Sequence, residues 1–274
     1  MAAPEDPFAR EPIEEIPLDP APLATVLCQV RFPTILEFAN EQTVGDVQRR
    51  LKGQYPILER EHTVAFLVRP AQGVVPQQQE DAVWRFRSKD RLWQVSLSTN
   101  FVALDTKNYA SRSDFIERLD EVLRVVNEVG APPECTRVGL RYVNRLRGEK
   151  FLDDIPNWVR CEVVGPHSFV PSKFAELTQS ICESQFSLGT DRRAQVRWGR
   201  LPPNATVDPS FEAVPDATWI LDFDMFSLVA QDFDLAAIRS FAEQFSEYAY
   251  RFFRWAVKPT LLAEFGGVVI DAKD

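Results

Sequence analysis

The sequence is short of the residues that most catalytic and metal sites use. Its 274 residues include two histidines, His62 and His167, and its four cysteines form no CxxC pair. The P-loop, GxGxxG, HExxH and GxSxG signatures are all missing. We therefore expect no cofactor, and a non-enzymatic role is favoured over catalysis.

Long apolar runs are missing as well. No stretch approaches the roughly 18 residues that a membrane helix needs. Residues 1–20 are acidic and proline-rich, without the apolar core of a secretory signal. The cysteines, which lie in or beside apolar segments, are Cys28, Cys135, Cys161 and Cys182. Together these features predict a cytoplasmic protein with free thiols and no membrane partner.

Positive charge is also in deficit. Thirty-one Lys and Arg stand against 40 Asp and Glu, which gives a net charge of −9. Non-specific nucleic-acid binding depends on Lys and Arg releasing the counterions of phosphates, so the molecule as a whole is unsuited to it. A local basic face is still compatible with this charge balance.

The clearest pattern in the chain is an alternation in the stretch from Trp84 to Leu146. Trp84 and Phe86 alternate with Arg85 and Arg87, as in a strand with one buried and one polar face. The same period predicts strands at 23–32, 63–68, 83–87, 93–97, 101–104, 136–146, 195–201 and 218–227. Residues 71–81 are expected to form a loop or irregular edge, whereas 174–186 fits either a strand or a helix.

Two long apolar stripes at helical spacing predict helices over 114–129 and 234–257, and a shorter one predicts a helix over 41–53. Ser111 or Ser113 is the expected N-cap of the 114–129 helix, and Gly130 is expected to close it. The predicted fold class is α+β, a twisted and mainly antiparallel sheet or two sheets, with the two long helices packed on them.

The expected organisation is an acidic, proline-rich arm over 1–20, an N-terminal α+β half over 21–150 and a C-terminal α+β half over 151–274, together forming one compact unit. Each half contains strand, turn, strand and amphipathic helix, which is consistent with a degenerate duplication. The oligomeric state does not follow from the sequence.

An arginine-rich strand face is the first candidate site. Its members, which are predicted to bind an anion if their strands are neighbours, are Arg85, Arg87, Arg141, Arg145 and Arg147. The planar guanidinium binds phosphate or carboxylate through two parallel hydrogen bonds. Arg192, Arg193, Arg197 and Arg200 extend the set. The alternative is that these arginines are solvated, or that they pair with the protein's own acidic segment 212–234, which holds six acids and no Lys or Arg.

Weaker candidates remain. Asp222 and Asp224 share one strand face at the spacing of some Mg²⁺-dependent phosphoryl-transfer sites, although solvated strands often produce this pattern. A dyad of His167 with Cys161 or Cys182 lacks any local group that would activate the thiol. The aromatic residues Trp84, Phe86 and Trp93 are able to stack bases, but their position opposite the arginines favours the core.

Three blocks carry a resemblance to a known family: 22–33 with its VLCQVRFP segment, 84–104, and above all GLRYVNR at 139–145. The chain resembles a sporadically distributed family of bacterial proteins of unknown function, over most of its length after residue 20. The resemblance implies a cytoplasmic bacterial protein of patchy occurrence, which is typical of mobile elements and phage defence. It implies no reaction and no catalytic residues.

Three functions follow, in order of preference. The first is a non-enzymatic binding or assembly protein that acts through a protein partner, within a bacterial defence or mobile-element system. The second is a binder of nucleic acid or of a phosphorylated ligand through the arginine-rich face. The third is a metal-dependent phosphoryl-transfer enzyme that uses Asp222 and Asp224.

Overall fold

The computed structural model describes residues 4–9, 13, 15–69, 73–168, 176–208 and 211–267, and of residues 62–69 and 73–81 the backbone alone. The strands are β1 (Leu23–Arg31), β2 (Ile57–Arg69), β3 (Gly73–Arg87), β4 (Trp93–Ser98), β5 (Phe101–Thr106), β6 (Glu134–Cys135), β7 (Arg137–Arg147), β8 (Ser180–Leu188), β9 (Arg192–Leu201), β10 (Thr218–Ser227) and β11 (Gln231–Asp232). The helices are α1 (Glu41–Leu51), α2 (Arg112–Gly130), α3 (Glu149–Leu152), α4 (Ile155–Trp158), α5 (Cys161–Val164), α6 (Leu235–Ala256) and α7 (Pro259–Glu264).

Nine strands form one sheet in the order β2-β3-β4-β5-β1-β7-β10-β9-β8, and β6 pairs with β11 in a separate ribbon. The pairs β2–β3, β3–β4, β4–β5 and β8–β9 are antiparallel. Helices α2 and α6 pack against the sheet. The predicted α+β class with two long amphipathic helices is therefore confirmed.

The chain divides into two compact units. The first, here called the α2 unit, comprises Leu27–Leu140 and Ser227–Glu243. Its core is the apolar stripe of α2, in which six residues are at most 2% exposed: Phe115, Ile116, Leu119, Val122, Leu123 and Val126. Trp84, Phe86 and Trp93 are buried on the helix-covered side, which denies bases the access that stacking requires.

The second unit, here called the α6 unit, comprises Met1–Val26, Arg141–Phe226 and Gln244–Asp274. On one side of its strands Phe223 packs against Phe252 of α6, with ring centroids 5.4 Å apart. A smaller cluster of buried residues consists of Val143, Leu201, Phe211 and Ile220. The alternation of β7 and β10 places Val143 and Ile220 on the side opposite the α6 helix. The face that was expected to be solvated is therefore covered in part by Phe211, Ala205 and Val207.

Three local expectations need correction or completion. Residues 71–81 are expected from the sequence to form a loop or an irregular edge; residues 73–81 belong to β3, and Pro76 is tolerated because that part of β3 pairs with β2 alone. The segment 174–186 fits either a strand or a helix by its sequence, and residues 180–188 form strand β8. Residues 176–179 have no regular structure, and 174–175 lie outside the described residues. Gly130 is the last residue of α2, and the left-handed residue that follows is Ala131 (φ 42°). Glycine is needed at 130 because a Cβ there would collide with the ring of Phe38.

Other expectations agree with the structure. Ser111 is the N-cap of α2, and its Oγ accepts a hydrogen bond from the Asp114 N–H at 3.1 Å. All four cysteines are free. Within the described part of the chain, no helix combines the length and the apolar character needed to cross a bilayer.

Candidate functional site

The predicted arginine face falls into two groups. Arg85 and Arg87 lie on β3, whereas Arg141, Arg145 and Arg147 lie on β7, and the strand order places β4, β5 and β1 between them. The condition attached to the prediction, that these strands are neighbours, is therefore not met. The first group belongs to the α2 unit and the second to the α6 unit.

In the α2 unit, Arg85 and Arg87 pair with two glutamates of the neighbouring strand β2. Arg85 Nε lies 3.0 Å from Glu61 Oε2, and Arg87 Nη2 lies 3.1 Å from Glu61 Oε1. Arg87 Nη1 also pairs with Glu59. We call these four residues the Arg85 cluster. Its side chains are between 22% and 44% exposed, so water screens the pairs.

The charges of Arg85 and Arg87 in this cluster act on the carboxyl group of Asp105 on β5. Burial raises the pKa of Asp105 to about 6, and the hydrogen bond from Gln94 and the charges of Arg85 and Arg87 oppose part of that rise. Gln94 Nε2 donates to Asp105 Oδ1 at 3.1 Å. A carboxyl group that titrates near neutral pH is a feature of functional sites, and the sequence offered no signal for it beyond its place in the β5 alternation.

In the α6 unit, Arg141 pairs with Asp222 on the adjacent strand β10 in a bidentate arrangement. Arg141 Nε donates to Asp222 Oδ1 at 2.7 Å, and Nη2 donates to Oδ2 at 2.8 Å. Arg197 Nη1 lies 3.7 Å from Asp222 Oδ2, and Arg197 Nε donates to Glu183 Oε2 at 2.5 Å. Asp208 lies 3.4 Å from Arg141 Nη1. We call these five residues the Asp222 cluster.

The Asp222 cluster is much drier than the Arg85 cluster at its centre. The side chain of Asp222 is 3% exposed and that of Arg141 is 11% exposed. Burial alone lowers the pKa of Arg141, but the hydrogen bonds and the charge of Asp222, with the charges of Asp208 and Asp224, outweigh burial and raise it. Arg141 therefore stays charged and held in place.

Arg145 and Arg147 differ from Arg141. The Arg145 guanidinium lies 3.8 Å from the centroid of the Phe211 ring, and Nη2 donates to the Glu212 carbonyl at 2.5 Å. Burial, and then the charge of Arg147, lower the pKa of Arg145 to about 10. Arg147 is exposed at the end of β7. Anion binding by the five arginines stays a prediction.

The weak metal candidate consists of Asp222 and Asp224. Both carboxylate oxygens of Asp222 accept hydrogen bonds from Arg141, so a cation would have to displace a buried guanidinium. In the described ranges, no group of three His, Cys, Asp or Glu side chains is arranged to hold a metal ion. Among the described residues, the structure therefore adds no third metal ligand to Asp222 and Asp224.

Of the nucleophile candidates, Cys161 and His167 lie in and just after the short helix α5, whereas Cys182 lies on strand β8. The Cys161 thiol is exposed and donates to Glu162 Oε2 at 3.2 Å. Burial lowers the pKa of His167 below its ordinary value, because it disfavours the charged imidazolium. Neither ring nitrogen of His167 has a hydrogen-bond partner among the described residues, so the imidazole is not bonded to either thiol as its base.

The strand β8 lies at the edge of the sheet, a position that the sequence did not disclose. All nine of its residues pair with β9, from Ser180 opposite Arg200 to Leu188 opposite Arg192. Among the described residues, no backbone group of β8 is hydrogen-bonded outside that ladder. The other side of the strand therefore offers backbone donors and acceptors.

No protein-family model matches the chain, and no curated protein sequence matches it. The family resemblance carried by GLRYVNR at 139–145 accordingly stays a prediction.

Proposed function

We propose that the protein is a non-enzymatic binding protein that pairs an extended segment of a partner protein with the edge strand β8. The observation that carries this proposal is the nine-residue edge with backbone groups directed away from β9. Main-chain hydrogen bonds to such an edge provide affinity, and side-chain contacts on alternate residues provide specificity.

The composition of β8 supports a binding role for this edge. Natural proteins protect edge strands from pairing with charged residues, proline or bulges. The SICESQFSL sequence of β8 has one charged residue, Glu183, and no proline, and its pairing with β9 is continuous. From Glu183 to Ser187 the burial alternates, with the odd-numbered residues exposed and the even-numbered ones half-buried. A partner strand would therefore contact two distinct rows of β8 side chains, the exposed odd-numbered row and the half-buried even-numbered row.

The charge pattern supports a protein partner over a nucleic acid. The arginines best placed to meet phosphates are already paired, Arg141 and Arg197 with Asp222, and Arg87 with Glu59. Counterion release from phosphate needs arginines that are free to leave such pairs, and a buried bidentate pair is costly to break. Nucleic-acid or phosphorylated-ligand binding by the arginine-rich face remains the alternative, and a place in a defence or mobile-element system remains a prediction.

Proline substitution tests the proposal with an internal control. Successive N–H groups of a strand point to opposite neighbours, so of Ser184 and Gln185 one donates to β9 and the other points away. Ser184→Pro and Gln185→Pro are each measured for thermal stability. The variant that keeps its stability has lost only the outward N–H.

Binding is measured with a displayed random-peptide library selected on the wild-type chain. We expect extended peptides to be enriched, and we expect hydrogen exchange of the outward β8 amides to slow when a selected peptide is bound. The stable proline variant should lose the peptide. Retention of binding by that variant, or failure to enrich any peptide, contradicts the proposal. Salt-sensitive RNA binding lost in Arg141→Ala/Arg145→Ala would favour the alternative.

A further inference from the structure

A cavity of about 310 Å³ lies in the α6 unit. It is lined by Ala9, Arg192, Gln244, Glu247, Tyr248 and Arg251. Four of the six belong to α6, where positions 244, 248 and 251 follow one another at four and three residues and so share one helix face. Arg192 begins β9. The volume lies at the lower end of the range of small-molecule pockets.

Arg251 is the unusual member of this lining. The residue is 7% exposed, yet among the residues that the structure describes its side chain has no hydrogen bond and no ion pair. A largely buried guanidinium without a carboxylate partner costs free energy, because it loses much of its hydration and gains no charge-assisted hydrogen bond in return. Such a group indicates that something other than stability keeps an arginine at this position.

Arg192 provides a second guanidinium that is held in place. Its Nη1 donates to Gln244 Oε1 at 2.7 Å, and its Nε lies 3.3 Å from Asp191 Oδ2. The bond to Gln244 joins the start of β9 to α6 across the cavity wall. Among the described residues of the lining, Glu247 is the one acidic side chain, so with the two arginines these residues carry one net positive charge.

We infer that this cavity binds a small molecule with a terminal phosphate, whose oxygens pair with Arg251 and are also reached by Arg192. Two guanidiniums suit a phosphate because it presents three oxygens, whereas a carboxylate presents two and is satisfied by one arginine. The ring of Tyr248 and the methyl group of Ala9 provide apolar wall for the organic part. The described lining includes no residue of β8, so the inference does not depend on the proposed function.

The test measures binding of glycerol phosphate by isothermal titration calorimetry, with acetate and inorganic phosphate as comparison probes. We expect the wild-type chain to bind glycerol phosphate more tightly than either comparison probe. Arg251→Gln should lose roughly tenfold to a hundredfold in affinity, the range for charge-assisted hydrogen bonds. Arg251→Lys keeps the charge but not the planar fork and should lose most of the same affinity.

Arg193→Gln is the matched control. Arg193 is the next residue of β9, is exposed, and does not line the cavity, so its loss changes the net charge equally and should leave affinity unchanged. Glu247→Gln should strengthen binding because it removes the carboxylate of the lining. Equal losses in Arg193→Gln and Arg251→Gln, or the absence of glycerol phosphate binding to the wild type, overturn the inference.

A ligand-free measurement guards against a variant that merely fails to fold. Arg251→Met replaces the unpartnered guanidinium by an apolar chain of similar length, so its melting temperature without ligand should equal or exceed that of the wild type by a few degrees. The same variant should not bind glycerol phosphate. A large fall in melting temperature would show that Arg251 is paired for stability and would contradict the inference.

Discussion

The Asp222 cluster and the Arg85 cluster use the same chemistry in different surroundings. Both join arginine and carboxylate across adjacent strands. In the Asp222 cluster the central carboxylate is 3% exposed, whereas in the Arg85 cluster Glu61 is 44% exposed. The difference shows that burial decides how much an ion pair matters for stability. A buried charge that loses its partner has no water to replace it, whereas an exposed charge is solvated by water instead.

The largest effect is expected from Asp222→Ala. Removal of this carboxylate leaves the Arg141 guanidinium buried without its bidentate partner, which should lower the free energy of unfolding by about 3–5 kcal/mol. Urea unfolding followed by tryptophan fluorescence measures the change. Glu183→Gln removes the outer carboxylate of the same cluster, which is 52% exposed, and should cost less than about 1 kcal/mol.

A double substitution sharpens this result. Arg141→Met/Asp222→Leu replaces both charges by apolar groups and should recover much of the loss, because neither charge is left unpaired. If the double variant is as unstable as Asp222→Ala, the cost arises from packing and not from the orphaned guanidinium.

An intermediate effect is expected from Asp105→Asn, and it depends on pH. The pKa of Asp105 is about 6 in the folded protein against an ordinary 3.8. Because the folded value is the higher one, the wild type loses stability as pH rises from about 4 through 6. Asp105→Asn keeps an acceptor for Gln94 and removes the charge. It should therefore match the wild type near pH 4 and exceed it by on the order of 2 kcal/mol at pH 8.

Denaturant titrations of both chains at several pH values provide the measurement. Arg85→Gln is the companion variant, because the charge of Arg85 favours ionised Asp105, and its removal should move the transition to higher pH. A stability difference between Asp105→Asn and the wild type that is the same at pH 4 and pH 8 would contradict the raised pKa.

The smallest effect is expected from Glu61→Gln in the Arg85 cluster. Its partners Arg85 and Arg87 are about one-quarter exposed and keep access to water, so the loss should be below about 1 kcal/mol. Thermal unfolding at low and high salt separates the two clusters, because the Glu61→Gln difference should disappear at high salt while that of Asp222→Ala persists. If Glu61→Gln instead loses several kcal/mol regardless of salt, the two clusters do not differ in the way proposed.

Local structure was readable from the sequence where one face of an element is buried. The alternation at Trp84 and Phe86, the apolar stripe of α2 and the Ser111 cap all depend on neighbours in the chain, and all appear as predicted. The sequence predicts the β3 segment at 73–81 only as a loop or an irregular edge. Pro76 signals a loop unless its missing N–H lies on an unpaired side of the strand, and the sequence alone does not say which strands have an unpaired side.

The sequence by itself determined the fold class, the buried faces and the residues that carry charge on the opposite side. Only the tertiary structure decided which charges meet: Arg141 lies against Asp222, whereas Arg85 and Arg87 lie against Glu59 and Glu61. It also decided that β8 is an edge and that Arg251 lines a cavity. The reason is that side-chain period follows from local backbone geometry, whereas strand order and register join residues far apart in the chain and arise from the packing of the whole sheet.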